Sequence, residues 1–388
     1  MKSVGIIAEY NPIHLGHTWH IRESLRLTDA ECVIAVMSGD FVQRGAPAVL
    51  DKFDRASMAV LSGADLVVEL PVSHATASAE RFALGGVGLL HALGVDFISF
   101  GMENDDLKSA GDIADVLCDE PCEYSDNLRI YLRNGLTMAS AREKSLEAMG
   151  IDCGILKNPN NILAIEYLKA MKKINAAYKP VAVKRMGNDY NGTDKNLLPS
   201  ATLVRQVIHD ESLEQAMQYL PEECRTYRPC SAPLFENDFS KLLNYSILMN
   251  IDSLSDYEGV NDAFADKLRK CYTQKDFYNF SELAMALKSK DTTYTGICRG
   301  LNHILLGIKK DIADVSYIRV LAMNDRGRRF LKDNKEKISL PVITTLSKAS
   351  IDPNLATDIR SSIIYNQALL DKYGIELSND YRRNIIIT

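Results

Sequence analysis

Long apolar runs are missing from this sequence of 388 residues. Stretches such as Ile34–Met37 and Leu66–Leu70 fall far short of the ~18 residues a membrane span needs, so no bilayer-crossing segment is expected. No secretory leader is expected either. Met1-Lys2-Ser3-Val4 runs straight into a strand-like segment, and the expectation is a cytoplasmic protein. The eight cysteines (Cys32, Cys118, Cys122, Cys153, Cys224, Cys230, Cys271 and Cys298) lack the density and rhythm of a disulfide scaffold. Free thiols are the default. Cys118 and Cys122 have a spacing compatible with zinc, but no second Cys/His pair stands at a ribbon or finger distance, and no metal site is expected. Basic charge is not in excess: 45 Lys and Arg oppose 51 Asp and Glu, for a net charge of −6. That sum argues against a surface coated in nucleic-acid-binding charge and leaves the distribution open.

What is present is globular. Hydrophobic residues at 46% and charged residues at 25% exclude a disordered or fibrous chain, and the length suits two domains. Apolar runs bounded by turn residues predict strands at Val4–Ala8, Cys32–Met37, Asp65–Leu70, Val95–Phe100 and Pro180–Lys184. Amphipathic stretches predict helices at Thr18–Leu27, Asp51–Ser62, Glu80–Leu93 and Ser200–His209. Further helical periodicity occupies Leu107–Leu117, Asp126–Asn134, Ala139–Met149 and Ile162–Lys172. Alternating strands and helices predict an α/β fold with a doubly wound parallel sheet, which places ligands beyond the carboxyl ends of its strands.

Three prolines, Pro221, Pro229 and Pro233, mark a linker. The expected division is therefore residues 1–220 as the sheet domain and 230–388 as a mainly α-helical C-terminal domain. Charge divides with it. The acidity belongs to the first part, whereas residues 287–337 carry 12 Lys and Arg against 6 Asp and Glu.

The chemically informative segment is Glu9-Tyr10-Asn11-Pro12-Ile13-His14-Leu15-Gly16-His17. It follows the first strand and opens the first helix, where free N–H groups and the helix dipole suit a phosphate. His14 and His17, three apart at a helix start, can face the same side and stabilise charge building on an α-phosphorus. A second segment, Ser200-Ala201-Thr202-Leu203-Val204-Arg205, places hydroxyls at a predicted helix N-terminus and an arginine one turn on; read alone, Ser200 is an N-cap.

His-Leu-Gly-His in this position resembles the HIGH-type nucleotidyltransferases, and Ser-x-Thr-x-x-Arg is similar to their later signature. Further segments tighten the likeness: Met37–Gly45, Val68-Glu69-Leu70-Pro71, Phe100-Gly101, Pro159-Asn160-Asn161-Ile162-Leu163 and Thr357-Asp358-Ile359-Arg360. With these the chain resembles, over nearly its whole length, the bacterial tRNA(Met) cytidine acetate ligases. The resemblance implies an enzyme that activates acetate with ATP as acetyl-adenylate and acetylates N4 of the wobble cytidine of elongator tRNA(Met). It implies ATP contacts from Ile7, Ala8, Glu9, Tyr10, Asn11, Pro12, Ile13, His14, Leu15, Gly16, His17, Thr18, Trp19 and His20, with Gly101, Asn160, Asn161, Arg185, Ser200 and Thr202. His14, His17 and Arg205 would be catalytic. Mg²⁺ would arrive with ATP, and no tightly bound cofactor is expected. Asp40 stands where that family usually has asparagine, and Gly296 where a basic residue commonly follows Thr-Tyr-Thr.

Arg44 and Lys52, placed on loops at the same sheet edge, are expected to meet the RNA. Lys309, Lys310, Arg326, Arg328 and Arg329 in the basic stretch would grip its backbone. The same nucleotide motifs would also serve a small-molecule adenylyltransferase of cofactor synthesis, and a non-catalytic RNA-binding protein is a third reading.

Overall fold

The computed structural model describes residues 1–175, 178–185, 199–289 and 292–388. Five parallel strands form its centre: β1 (Ser3–Ala8), β2 (Cys32–Ser38), β5 (Leu66–Leu70), β6 (Phe97–Met102) and β7 (Lys179–Lys184), in the spatial order β5-β2-β1-β6-β7. Their runs are apolar on both faces because both faces are covered. Helices Ala79–Leu93, Leu107–Asp119 and Pro159–Lys173 bury one side. Helices α1 (Leu15–Thr28) and α2 (Lys52–Leu61), with Ala201–Asp210, bury the other. The chain winds outward from β1 through β2 to β5, then crosses back to β6 and β7. The strand order therefore reverses at β1/β6, and a crevice opens where Ala8 and Met102 end their strands.

The expected strands all form, within two residues at each end. The loop from Ser38 to Gly45 carries a short hairpin, β3 (Phe41–Val42) with β4 (Ala46–Pro47). Phe41 leaves the sheet domain altogether. Its ring centroid lies 5.4 Å from that of Phe239 and 6.3 Å from that of Tyr365, inside the core built by helices Ser240–Met249, Asp262–Tyr272, Phe280–Leu287, Tyr294–Leu306 and Pro353–Tyr373. Gly45 has φ +75°, and a Cβ there would collide with the Arg299 amide. The hairpin thus needs glycine to lie against helix Tyr294–Leu306.

The segment expected to be a helical domain also returns to the sheet. β8 (Ile318–Met323) pairs antiparallel with β5, while β9 (Val342–Ile343) and β10 (Ile386–Ile387) pair parallel with β8. Residues 230–388 therefore supply three strands of the eight-stranded sheet besides their own helical core.

Candidate active site

The His-x-Gly-His spacing is a capping device. His14 is the N-cap of α1 and its Nδ1 accepts the Gly16 N–H at 3.1 Å, while His17 Nδ1 reaches back to accept the His14 N–H at 3.2 Å. This reciprocal arrangement is a capping box made from imidazoles. It settles both tautomers, because an Nδ1 that accepts leaves the proton on Nε2. The two rings stack, with centroids 3.8 Å apart. Gly16 is required by the same geometry, since a Cβ would stand 2.9 Å from His14 Cε1.

Both rings are held neutral. Burial, then the charges of Arg185 and Arg205, pushes His14 down to about 3. Burial, followed by the neighbouring His14 and His20 and the same arginines, lowers His17 well below the ordinary imidazole value. The site thus offers two uncharged Nε2–H donors at a helix N-terminus, in the field of two cations. His20 faces inward, its Nε2 3.0 Å from Ser99 Oγ on β6, and burial and Arg185 lower it to about 4. Tyr10 Oη, Thr18 Oγ1 and Trp19 Nε1 are buried without a partner among the described residues. These are polar groups that a ligand in the crevice could satisfy.

The second motif meets the first directly. Ser200 caps helix Ala201–Asp210 by accepting the Leu203 N–H at 3.2 Å. Arg205, one turn on, donates from Nη1 to the Asn11 carbonyl at 2.8 Å and from Nη2 to Thr202 Oγ1 at 3.4 Å. From the other flank, the Arg185 N–H donates to the Met102 carbonyl at 2.9 Å, and the Arg185 side chain lies over Gly101. A Cβ at Gly101 would come into van der Waals contact with Arg185 Cγ at 3.4 Å. Asn160 and Asn161 converge on Glu103, just past β6. Asn160 Nδ2 donates to one Glu103 oxygen at 2.6 Å and the Asn161 N–H to the other at 3.2 Å. Asn161 spends its own amide on the Glu103 N–H and the Ile155 carbonyl, whereas the Asn160 side-chain oxygen keeps no such bond among the described residues.

Lys52 corrects an expectation. It is not on a solvent-facing loop but at the first turn of α2, wholly buried, with Nζ donating to Glu69 at 2.8 Å, Asp380 at 2.8 Å and Ser362 Oγ at 2.7 Å. Three bonds exhaust an ammonium, so Lys52 has nothing left for RNA. Asp40 belongs to the same cluster. It accepts the Lys52 N–H at 3.0 Å and the Ser362 hydroxyl at 2.7 Å, with the Lys52 charge 3.9 Å away. Burial raises the Asp40 carboxyl above the usual carboxylate range, and the Lys52 charge opposes that shift.

The other basic positions separate. Arg44 is exposed on the hairpin, near enough to Arg205 to lower that guanidinium's pKa behind the larger effect of burial. Arg326, Arg328 and Arg329 ride on helix Asp325–Asp333, and Arg326 pairs at 2.9 Å with Asp65, which precedes β5. That is the amino edge of the parallel strands, opposite the imidazoles. Arg328 pairs with Asp325 at 3.0 Å, and Lys309 with Asp256 at 3.1 Å. Lys310 and Arg329 are exposed.

Sequence reasoning missed Arg55. Fully buried on α2, it donates to the carbonyls of Glu9 (2.6 Å), Ser38 (3.0 Å), Leu50 (2.9 Å) and Gly39. It stitches the carboxyl ends of β1 and β2 into one floor. In the structure every residue of α2 from Lys52 to Val60 is buried, which the charged residues Lys52, Asp54 and Arg55 in its sequence do not announce. Arg299 was missed too, half-buried on the helix that receives Gly45. No three His, Cys, Asp or Glu side chains cluster as a metal site among the described residues.

Reversed strand order, an imidazole-capped helix start and a second arginine-bearing helix define a nucleotidyltransferase of the HIGH class. A family model described as HIGH Nucleotidyl Transferase matches residues 1–379. A tRNA(Met) cytidine acetate ligase of Caldanaerobacter subterraneus subsp. tengcongensis is 40% identical over 362 residues, 90% of each chain. That of Clostridium perfringens is 36% identical over 409 aligned positions, covering both chains fully. The solved structure of Thermotoga maritima TmcAL without ligand superposes with TM-score 0.90 at 28% identity, covering 100% of this chain and 99% of that one. The form bound with alpha-thio ATP gives 0.88 at 27%, covering both chains fully. The chain belongs to the tRNA(Met) cytidine acetate ligase family.

Proposed function

We propose that the chain is an ATP-dependent ligase that joins acetate to N4 of the wobble cytidine of elongator tRNA(Met) through acetyl-adenylate. The observation that carries this reading is the joining of the two nucleotide motifs. Arg205 is bonded to the Asn11 carbonyl, so the cation of the second motif stands over the imidazole-capped helix of the first. Acetate has a pKa near that of a glutamate side chain, ~4.3, and is already ionised at neutral pH. Adenylation therefore needs positioning and charge neutralisation rather than a base. Nε2–H of His14 and of His17 would donate to the α-phosphate oxygens as charge develops. Arg205, with Ser200 and Thr202, would hold the departing pyrophosphate, and Arg185 would flank the nucleotide over Gly101. Asn160 is the better placed of the asparagine pair to reach the nucleotide, since Asn161 is spent on Glu103 and Ile155. Mg²⁺ would enter as the ATP complex, liganded by phosphate oxygens.

A wobble base is unpaired in free tRNA and costs less to extrude than one in a duplex. Arg44, at the lip of the crevice, would meet the RNA there, and residues 230–388 would bind the rest of it. Lys309 and Lys310 remain candidates for that role. The test is incubation with labelled acetate, ATP, Mg²⁺ and tRNA. Label in cytidine is expected, whereas ATP turnover with a phosphorylated cofactor precursor and no labelled RNA would favour a small-molecule adenylyltransferase.

A further inference from the structure

Making an amide from an amine releases a proton, and the crevice offers few places for it. This inference rests on the reading above. His14 and His17 both commit Nδ1 to a backbone N–H and carry their proton on Nε2, so they are donors with no lone pair to spare. His20 is turned to Ser99. Glu103 has one oxygen on Asn160 and the other on Asn161. Arg185 and Arg205 are cations.

Glu9 differs from all of these. It leaves the carboxyl end of β1 at the point where the strand order reverses, and it is half-buried. Its Oε1 accepts the Gln43 N–H at 3.0 Å, which fixes the carboxylate. Oε2 has no hydrogen-bond partner and Glu9 makes no ion pair among the described residues. Arg205 lies within its field yet spends its bonds on Asn11 and Thr202. A partly desolvated anion beside a polyanionic nucleotide is costly, and chemistry is a reason to keep it there.

We propose that Glu9 is the general base of acetyl transfer, accepting the proton that the cytidine N4 amine loses. The N4–C bond forms as the amine attacks the acetyl carbonyl of the adenylate. The C–O bond to the phosphate then breaks, AMP departs with that electron pair, and the amine proton passes to Glu9 Oε2 and on to water. Glu9 Oε1 meanwhile ties the base to the hairpin that carries Arg44, so an RNA contact and the proton acceptor are placed together.

Glu9→Gln tests this, because an amide oxygen can still accept the Gln43 N–H while the basic oxygen is gone. Single-turnover transfer from synthetic acetyl-adenylate to tRNA is followed over a range of tRNA concentrations. The variant is expected to transfer about 100-fold more slowly or worse, the lower end of what a positioned base supplies, with KM for tRNA unchanged. Transfer within threefold of the unsubstituted protein would overturn the assignment. So would a raised KM for tRNA at unchanged kcat, which would make Glu9 a positioning residue for RNA. Should the unsubstituted protein transfer nothing to tRNA, the functional reading itself fails and this step with it.

Discussion

Replacing Lys52 separates two roles that a basic residue near the crevice can have. In Lys52→Met the side-chain volume stays and the charge goes. Glu69 and Asp380 each lose a 2.8 Å ion pair and Asp40 loses its nearby cation, in a region with almost no solvent access. Arg319 remains, ion-paired with Glu69 at 3.1 Å and Asp380 at 2.9 Å, so one cation must serve what two did. Breaking a buried pair by removing one partner costs about 3–5 kcal/mol. At about 2.1 cal/mol/K of unfolding entropy per residue, a chain of 388 residues should lose about 4–6 °C in Tm if it melts in one transition. Differential scanning calorimetry measures this, and urea titration gives the free energy independently. Arg44→Ala is the counterpart. Being exposed, it should leave Tm within about a degree while weakening tRNA binding and reducing the salt slope of that binding by about one. A Lys52→Met protein as stable as the unsubstituted one, with tRNA affinity reduced, would refute the burial argument and restore Lys52 as an RNA contact.

His17→Ala removes an Nε2–H donor and the cap on the His14 N–H. Acetate-dependent ATP–pyrophosphate exchange should fall by about 10²–10³, as for loss of one transition-state donor, with a stability cost of about 1 kcal/mol from the cap; equal exchange by the variant would remove His17 from the adenylation step. A second expectation concerns pH. Burial, the largest cause in each case, holds His14 at about 3 and His20, His74 and His303 at about 4, with His17 also well below the ordinary value. The unfolded chain takes up these protons near pH 6.5 while the folded one does not, so stability falls as pH drops from about 6.5 towards 4, by about 1.4 kcal/mol per pH unit for each such histidine. Asp358, whose carboxyl burial raises to about 7, works in the opposite direction over the same range, so the net slope is smaller than the histidine sum. Urea midpoints that rise as the pH falls from 7 to 5 would show that the imidazoles are not held neutral in the native state.

The parts of the structure legible in the sequence are those whose causes are local. Central strands such as Cys32–Ser38 read as unbroken apolar runs because they are buried on both faces. The His-x-Gly-His spacing reads as a helix start because a capping box spans four residues. β8 was not legible. Its sequence Ile-Arg-Val-Leu-Ala-Met carries Arg319 in the middle of a basic stretch, and the carboxylates of Glu69 and Asp380 make that arginine tolerable inside a sheet. Lys52 was misread for the same reason, since one of its partners, Asp380, lies 328 residues away. No window on the sequence contains such a pair, and a charge whose partner is out of sight looks like a surface charge.

That long-range pairing bears on the division of the chain. A split after residue 220 follows the prolines and the change in charge, and the functional halves proposed above follow it too. Physically it cuts through one sheet. A fragment of residues 1–220 would lack β8, leaving β5, an entirely buried strand, as a bare edge. It would also lack Arg319 and Asp380, so Glu69 would lose its second cation and Lys52 one of its two close carboxylates. Phe41 would lose Phe239 and Tyr365 and point its ring at water. Each loss falls on the strands and the hairpin that frame the crevice. The expected outcome is that residues 1–220 expressed alone aggregate or show no cooperative melting, and that adding residues 230–388 in trans does not restore acetate-dependent exchange unless the two pieces are refolded together. A soluble 1–220 fragment with a sharp thermal transition and intact exchange activity would show that the adenylating unit closes its sheet without β8, and that the buried charges around Lys52 find other partners.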